Sequence, residues 1–123
     1  MISIDSNGWI DYFLDEDKYE VFAQLIEGTD AVLVPVPCLY EVYRDIRHQM
    51  NSRRAAEVAI QSMTHHIVVP LEHQTTQFAA QFEGNRKLSA CDRFIYAISR
   101  QHGATLWTKD SGFVGLPDVR YVG

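Results

Sequence analysis

The sequence predicts an α/β fold, a three-layer α/β/α domain with a mostly parallel sheet of four or five strands. Short apolar runs that suit buried strands alternate along the chain with longer segments whose apolar residues recur at helical spacing. Residues that favour caps and turns separate these segments. Strands that alternate with helices form βαβ units, and such units pair their strands in parallel.

The first two strands and first two helices are expected within the first 34 residues. Residues 2–4 and 31–34 are short apolar runs that predict strands. Ser6 or Asn7 is expected to cap the first helix, because short polar side chains accept hydrogen bonds from the first turn. A second helix is expected to begin at Asp15 or Asp17 and to end at Gly28.

The rest of the chain continues the alternation. Pro37 suits the first turn of a third helix, where its missing N–H removes no hydrogen bond. The remaining elements are expected as a helix over 52–64, a strand over 66–69, a helix over 74–85, a helix from Ser89 to Gly103, a strand over 104–107 and a short edge strand over 119–122.

Length and composition indicate one domain, spanning residues 1–123, in a cytoplasmic protein. The chain is 46% hydrophobic and 22% charged, and its N-terminus has no basic-then-apolar leader. The longest apolar stretch, residues 31–40, contains two prolines and is too short to span a membrane. The isolated thiols Cys38 and Cys91 do not form the spacing of a zinc or disulfide framework.

Charge is distributed unevenly along the chain. The net charge is −5, but residues 1–45 carry −8 and residues 46–123 carry +3. An acidic protein is not an obvious nucleic-acid binder, because affinity for nucleic acids depends mainly on neutralising phosphates. Bound divalent cations would reverse the local sign, so charge alone leaves the partner open.

Four carboxylates are expected to meet at one edge of the sheet. Asp5 and Asp110 follow predicted strands, whereas Glu41 and Asp92 lie near the starts of helices that return from the same edge. In open parallel sheets this edge is the usual ligand site. Four acids gathered there would repel one another unless a cation lay among them, so the sequence predicts a site for a hard divalent metal.

Each acid taken alone also has a purely structural explanation. These explanations are an N-cap for Asp5, an ion pair with Arg44 for Glu41, a capping box with Ser89 for Asp92 and a turn for Asp110. The joint placement of all four at one edge favours the metal site.

Four segments resemble, in order, the acidic motifs of the PIN-domain ribonuclease family. They are residues 4–7, 37–42, 88–97 and 103–113, and they are followed by a typical tail over 116–120. The resemblance covers essentially the whole chain, and the compact size is most similar to VapC-type toxins of toxin–antitoxin pairs. Ser6 stands where Thr is common, and Gly112 stands where a second acid often follows.

The resemblance implies a PIN-fold endoribonuclease that depends on Mg²⁺ or Mn²⁺ and cleaves RNA phosphodiester bonds with metal-activated water. It also implies homodimers and neutralisation by a VapB-like antitoxin. Asp5 and Asp92 correspond to the most regular metal ligands of the family, and Asp110 and Glu41 would complete the site directly or through water. Ser6 and Thr108 would orient carboxylates, although capping and strand-end hydrogen bonds explain these hydroxyls equally well.

Basic and aromatic residues offer weaker candidates for substrate contacts. Arg93 and Lys109 adjoin proposed catalytic acids and are favoured slightly as phosphate contacts, although solvated surface charge is an alternative for both. Further basic candidates are Arg53, Arg54, Arg86 and Lys87. The aromatic residues that could stack on bases, or instead pack in the core or a dimer, are Tyr40, Tyr43, Tyr96 and Trp107.

Other function classes are less well supported. A receiver-like signalling module needs an acidic pair after the first strand and an Asp after the third, and residues 5–7 and 70–72 provide neither. A housekeeping RNA-processing nuclease and a non-catalytic RNA-binding module remain alternatives. A neighbouring gene for a small basic DNA-binding antitoxin would favour the toxin.

Overall fold

The computed structural model describes residues 1–14, 20–28, 31–82 and 87–123. Five strands are present in these ranges: β1 Ile2–Ile4, β2 Val32–Pro35, β3 Ile67–Val69, β4 Thr105–Thr108 and β5 Val119–Tyr121. The α-helices are α1 Ser6–Phe13, α2 Glu20–Glu27, α3 Val36–Met50, α4 Arg53–Met63, α5 His73–Ala80 and α6 Ala90–Gln101. A short 3-10 helix covers Ser111–Phe113. None of the helices in these ranges is both long enough and apolar enough to cross a membrane.

The strands form one parallel sheet in the order β3-β2-β1-β4-β5. The chain moves outward from β1 through β2 to β3, and it then returns to the other side of β1 for β4 and β5. The strand order therefore reverses between β1 and β4, where Ile4 pairs in register with Trp107. Ligands of open parallel sheets bind in the crevice beyond the carboxyl ends of the strands at such a reversal. The predicted α/β class and parallel sheet are confirmed.

Helices cover both faces of the sheet. Val32 and Val34 of β2 belong to the larger apolar cluster, which includes side chains of α1, α3 and α4. Leu33, which points the other way, packs in a second cluster with Ile98 of α6. On that same side the hydroxyls of Ser3 and Ser99 lie 2.6 Å apart. Successive side chains of β2 therefore point to opposite faces of the sheet and are buried on both, which gives the predicted three layers.

Cap residues define the starts of the helices that carry the candidate acids. The prediction that Ser6 or Asn7 caps α1 is wrong, because Asp5 has extended backbone angles and its carboxylate accepts from the Ser6 N–H. Pro37 lies in the first turn of α3, as predicted. Ser89 caps α6, also as predicted, and completes a capping box with Asp92.

Two other boundaries differ from the sequence prediction. Helix α5 ends at Ala80 rather than near residue 85. There the Gln81 and Phe82 N–H groups donate to carbonyls three residues earlier, as in a 3-10 turn, instead of four residues earlier as in an α-helix. His66 precedes β3 instead of starting it, since its N–H donates to the Met63 carbonyl in a turn. The predicted helix starts at Asp15 or Asp17, and residues 83–85 of the predicted fifth helix, lie outside the described ranges.

Candidate metal centre

Asp5 lies at the reversal point of the sheet and is only 2% exposed. Its backbone N–H donates to the Trp107 carbonyl at 3.0 Å, which holds the end of β1 beside β4. One carboxylate oxygen accepts from the Ser6 N–H at 2.8 Å. The other accepts from the Thr108 hydroxyl at 2.8 Å. Both oxygens of this buried carboxylate therefore have fixed directions.

The environment of Asp5 disfavours its charged form. Burial raises the pKa of Asp5 to about 7, and the hydrogen bonds from Thr108 and Ser6 oppose this rise. The charges of Asp92 and Glu41 raise the pKa further. The charges of Asp92 in α6 and of Glu41 in α3 therefore both act on Asp5, which directly follows β1. That the predicted acids hold a metal together stays a prediction.

Glu41 reaches this site from the first half of α3. The Ser6 hydroxyl donates to a Glu41 carboxylate oxygen at 2.6 Å. Since the backbone N–H of Ser6 also donates to Asp5, this one residue holds two of the candidate acids. Arg44 pairs with Asp45 at 2.8 Å rather than with Glu41.

Asp92 serves the helix and the site at once. One of its oxygens accepts from the Ser89 N–H at 3.0 Å, and the Ser89 hydroxyl accepts from the Asp92 N–H at 3.1 Å. These two bonds form the capping box that the sequence offered as the structural explanation for Asp92. The carboxylate is only partly buried, and its charge still acts on Asp5. Asp92 can therefore take part in the capping box and also belong to the candidate metal site.

Asp110 is connected to Asp5 through Thr108. The Asp110 N–H donates to the Thr108 hydroxyl oxygen at 2.9 Å, and that hydroxyl donates to Asp5. The Asp110 carboxylate accepts from the Gly112 N–H at 2.8 Å and caps the 3-10 helix. Thr108 therefore joins the acids that follow β1 and β4.

The cationic groups of Arg93 and Lys109 are engaged with groups other than the four acids. Arg93 donates to the Phe82 carbonyl at 2.7 Å and to the Leu88 carbonyl at 3.4 Å. Lys109 forms an ion pair with Asp11, which is nearly buried. Asp11 was not singled out in the sequence, where no spacing connects it to Lys109. A substrate-binding role for Arg93 and Lys109 remains a prediction.

The candidate aromatic residues divide between surface and core. Tyr40 is 62% exposed, directly before Glu41. Tyr96 is buried and its hydroxyl donates to the Pro117 carbonyl at 2.7 Å, so it packs in the core. Trp107 is partly buried, and the Arg120 guanidinium lies over its ring. Arg86, one of the basic candidates, lies outside the described ranges.

Both cysteines lie beside the acids. The Cys38 thiol is within 3.8 Å of the Ile4 carbonyl, and the Cys91 thiol is equally close to the Pro37 carbonyl. Burial, and then the neighbouring Glu41, raise the pKa of Cys91 to about 12. At neutral pH this group is a thiol, which is a poor nucleophile. The Cys91 thiol is therefore not a candidate nucleophile.

The donor set suits a hard divalent cation. Carboxylate and hydroxyl oxygens are the ligands that Mg²⁺ prefers. Within the described ranges, Asp5 forms no ion pair, so its charge has no cationic partner in this part of the chain. No three Asp, Glu, His or Cys side chains in those ranges already surround a common point. The described residues that would hold a cation there are Asp5, Asp92 and Glu41, with Asp110 connected to Asp5 through Thr108.

Comparison with known proteins adds three observations. The PIN domain family pattern matches residues 2–118. No curated protein sequence matches the chain. Solved structures with a similar fold include VapC20 of Mycobacterium tuberculosis, described as a Sarcin-Ricin loop cleaving toxin, with a TM-score of 0.77 and 19% identity over 98% of this chain and 99% of that chain.

Two complexes also contain chains of this fold. A toxin–antitoxin complex from Klebsiella pneumoniae includes a chain with a TM-score of 0.76 and 17% identity, covering 98% of this chain and 96% of that one. A chain of VapBC2 from Rickettsia felis, bound to a promoter DNA fragment, has a TM-score of 0.70 and 14% identity, covering 99% and 98%. At these identities the likeness extends to the fold alone.

Proposed function

The chain belongs to the PIN domain family, and on that premise we propose that it is a ribonuclease toxin. It would be an endoribonuclease that requires Mg²⁺ or Mn²⁺, with Asp5, Glu41, Asp92 and Asp110 as its acidic residues. It would act in the cytoplasm as a homodimer and be neutralised by a VapB-like antitoxin.

The observation that carries the catalytic proposal is the environment of Asp5. A buried carboxylate is costly unless it is paired or neutralised. Burial, and then the charges of Asp92 and Glu41, raise the pKa of Asp5 to about 7, although hydrogen bonds from Thr108 and Ser6 oppose the rise. A divalent cation would remove the repulsion among these three groups and favour the charged form of each.

The residues of the chain would fix the geometry of this reaction. Asp5 and Asp92 would hold the cation, with Asp110 and Glu41 completing the site directly or through water. Ser6 and Thr108 would fix the directions of the Glu41 and Asp5 carboxylates by the hydrogen bonds described above. When bound, Mg²⁺ or Mn²⁺ would supply Lewis acidity and neutralise charge on the phosphodiester.

The toxin role is supported by the similar structures. VapC20 is described as cleaving the Sarcin-Ricin loop, and two further structures of this fold are complexes with antitoxins. The corresponding proposal for this chain is RNA cleavage restrained by an antitoxin. A housekeeping RNA-processing role would share the same four acids.

Cleavage of a mixed RNA pool by the purified protein tests the catalytic proposal. Cuts should appear with Mg²⁺ or Mn²⁺, disappear with EDTA, and disappear in Asp5→Asn. Asp45→Asn makes the same change at a partly exposed acid of α3 that pairs with Arg44, and this variant should cleave normally. Full activity of folded Asp5→Asn would refute the assignment.

Expression in a bacterial host separates the toxin from a processing enzyme. The toxin reading predicts growth arrest that requires Asp5 and is relieved by co-expressing the adjoining antitoxin gene. Unimpaired growth together with normal RNA cleavage in vitro would instead favour the processing role. Sedimentation of the purified chain would test the dimer.

A further inference from the structure

A basic patch lies at the turn between α3 and α4. Arg47 and His48 end α3, Arg53 and Arg54 begin α4, and all four side chains are exposed. Together with Asn51 and Ser52, three of them line a recess of about 480 Å³. We define Arg47, His48, Arg53 and Arg54 as the α3–α4 patch.

The backbone of the turn brings these charges together. Asn51 has φ 47° and ψ 46°, a left-handed conformation that Asn tolerates better than most residues. This conformation ends α3 and reverses the chain, after which Ser52 caps α4 by accepting from the Ala55 N–H at 3.0 Å. The last turn of one helix therefore lies beside the first turn of the next.

The arginines of the patch differ from the others in the described ranges. Arg44 and Arg100 form ion pairs, Arg93 donates to two carbonyls, and Arg120 lies over the Trp107 ring. Within those ranges, Arg47, Arg53 and Arg54 have no ion pair, hydrogen bond or ring contact through their side chains. Glu57, one turn along α4, forms no ion pair with them there.

The helix dipole explains the positions of only two of the four basic residues in the α3–α4 patch. Arg47 and His48 lie at the C-terminal, negative end of α3, where cations are favourable. Arg53 and Arg54 lie in the first turn of α4, at the positive end of its dipole. Cations at that end are unfavourable for the helix, and the neighbouring Arg47 adds repulsion. A bound polyanion would offset both effects.

We propose that the α3–α4 patch binds the phosphate backbone of RNA at a distance from the acidic site. This inference rests on the proposed RNA substrate. Arg47 lies six residues beyond Glu41 on α3, about 9 Å along the helix axis, and the turn at Asn51 lies about 15 Å beyond Glu41. Because residues 1–45 carry a net charge of −8, RNA requires cationic contacts elsewhere on the molecule. The patch supplies them in a segment that contains no acid between Ile46 and Ala56.

Binding to a labelled single-stranded RNA of about twenty nucleotides tests the patch. The Asp5→Asn chain serves as the background, because cleavage would otherwise consume the probe. The double variant Arg47→Gln with Arg53→Gln is compared with Arg100→Gln plus Arg120→Gln, which removes the same charge elsewhere. Thermal unfolding of each variant confirms that it is folded.

The patch variant should bind RNA about tenfold or more weakly near 0.1 M salt, with a salt slope reduced by about 1.4 for two lost phosphate contacts. The control variant should change much less. Equal losses in the two variants, unchanged affinity in the patch variant, or absence of RNA binding by the background chain would each overturn the proposal. The proposal would also be overturned if the patch variant lost binding to a poly-glutamate peptide but kept its affinity for RNA.

A cleavage assay separates this proposal from the catalytic one. In the wild-type background, the patch variant should cleave a dinucleotide at the normal rate and a long RNA more slowly. Normal cleavage of long RNA by the patch variant would overturn the patch while leaving the nuclease intact. Patch-dependent RNA binding by a chain that cleaves nothing would overturn the nuclease while leaving the patch intact.

Discussion

Asp5 combines three roles in a single side chain. It ends β1, caps α1 through the Ser6 N–H and accepts a hydrogen bond from Thr108. The first two roles are local and explain why an acid suits this position in any protein. The third depends on a residue 103 positions away, and it is this contact that places the carboxylate in the candidate centre.

The raised pKa of Asp5 predicts how stability depends on pH in metal-free protein. Its pKa is about 7 in the folded chain, against an ordinary value of 3.8, so the folded state binds the proton more tightly. Its contribution to the free energy of unfolding is therefore greatest below pH 4 and decreases as pH rises to 7. The full shift corresponds to roughly 4 kcal/mol as an upper value.

Denaturant unfolding of wild type and Asp5→Asn in EDTA across this pH range measures the effect. Asn cannot ionise, so the variant should gain stability relative to wild type as pH rises. Asp118→Asn, at an exposed acid, provides the control and should follow wild type. A constant difference between wild type and Asp5→Asn at all pH values would contradict the pKa assignment.

Thr108 is predicted to position the candidate centre through Asp5 and Asp110. Thr108→Val keeps the side-chain shape but removes a donor to Asp5 and an acceptor for the Asp110 N–H. The Mg²⁺ concentration that gives half-maximal cleavage should rise by about 10- to 100-fold. Thr108→Ser retains the hydroxyl and should restore most of the affinity. Equal behaviour of the two variants would show that packing, and not the hydroxyl, matters at this position.

Among the secondary-structure elements, the helices that follow the strands place acidic residues near the carboxyl ends of the strands. Helix α3 follows β2 directly and presents Glu41, and α6 begins at the capping box that contains Asp92. The 3-10 helix after β4 begins at Asp110. Because Asp5, Asp92 and Asp110 each take part in a cap, local folding and the candidate site depend on the same residues.

Substitution of Ser89 measures how much the capping box at the start of α6 contributes to stability and to activity. Ser89→Ala removes the acceptor for the Asp92 N–H and should lower the free energy of unfolding by about 1 kcal/mol. The Asp92 carboxylate keeps its hydrogen bond from the Ser89 N–H, but the other half of the capping box is lost, so the start of α6 should loosen and cleavage should also slow. Chemical denaturation and a cleavage assay measure the two effects, with exposed Ser111→Ala as the control. A loss of activity without loss of stability would separate the cap from the site.

At the scale of the whole molecule, the reversal of strand order creates the candidate centre. Residues of β1 and β4 become neighbours only because the chain returns across the sheet after β3. The acids gather at the carboxyl edge, and the α3–α4 patch lies at the far end of α3.

Divalent cations should therefore stabilise the whole fold. A cation that binds only the folded state raises stability by mass action, by about 2.7 kcal/mol at one hundred times its dissociation constant. Adding Mg²⁺ or Mn²⁺ at pH 8 should raise the melting temperature of wild type, and EDTA should reverse the effect. Sodium chloride at matched ionic strength controls for screening. An equal rise in Asp5→Asn would place the stabilising cation elsewhere.

Residues that are close in the chain sufficed to predict most of the helices and strands and their order. Apolar periodicity located the strands, Pro37 and Ser89 marked helix starts, and the acids after β1 and β4 could be assigned to one edge of a parallel sheet. These features depend on residues near one another in the chain, so local propensities suffice to predict them. The exceptions were local competitions between similar groups, such as Asp5 and Ser6 for the cap of α1.

Long-range packing, by contrast, sets which side chains contact one another. The contacts of Thr108 with Asp5, of Ser6 with Glu41 and of Lys109 with Asp11 join segments with no local relation. The same packing left Arg47, Arg53 and Arg54 without partners in the described ranges. Such contacts depend on strand order and on rotamers chosen among competing partners. The energy differences between alternative side-chain contacts are small and depend on the whole molecule, so no local pattern in the sequence encodes these contacts.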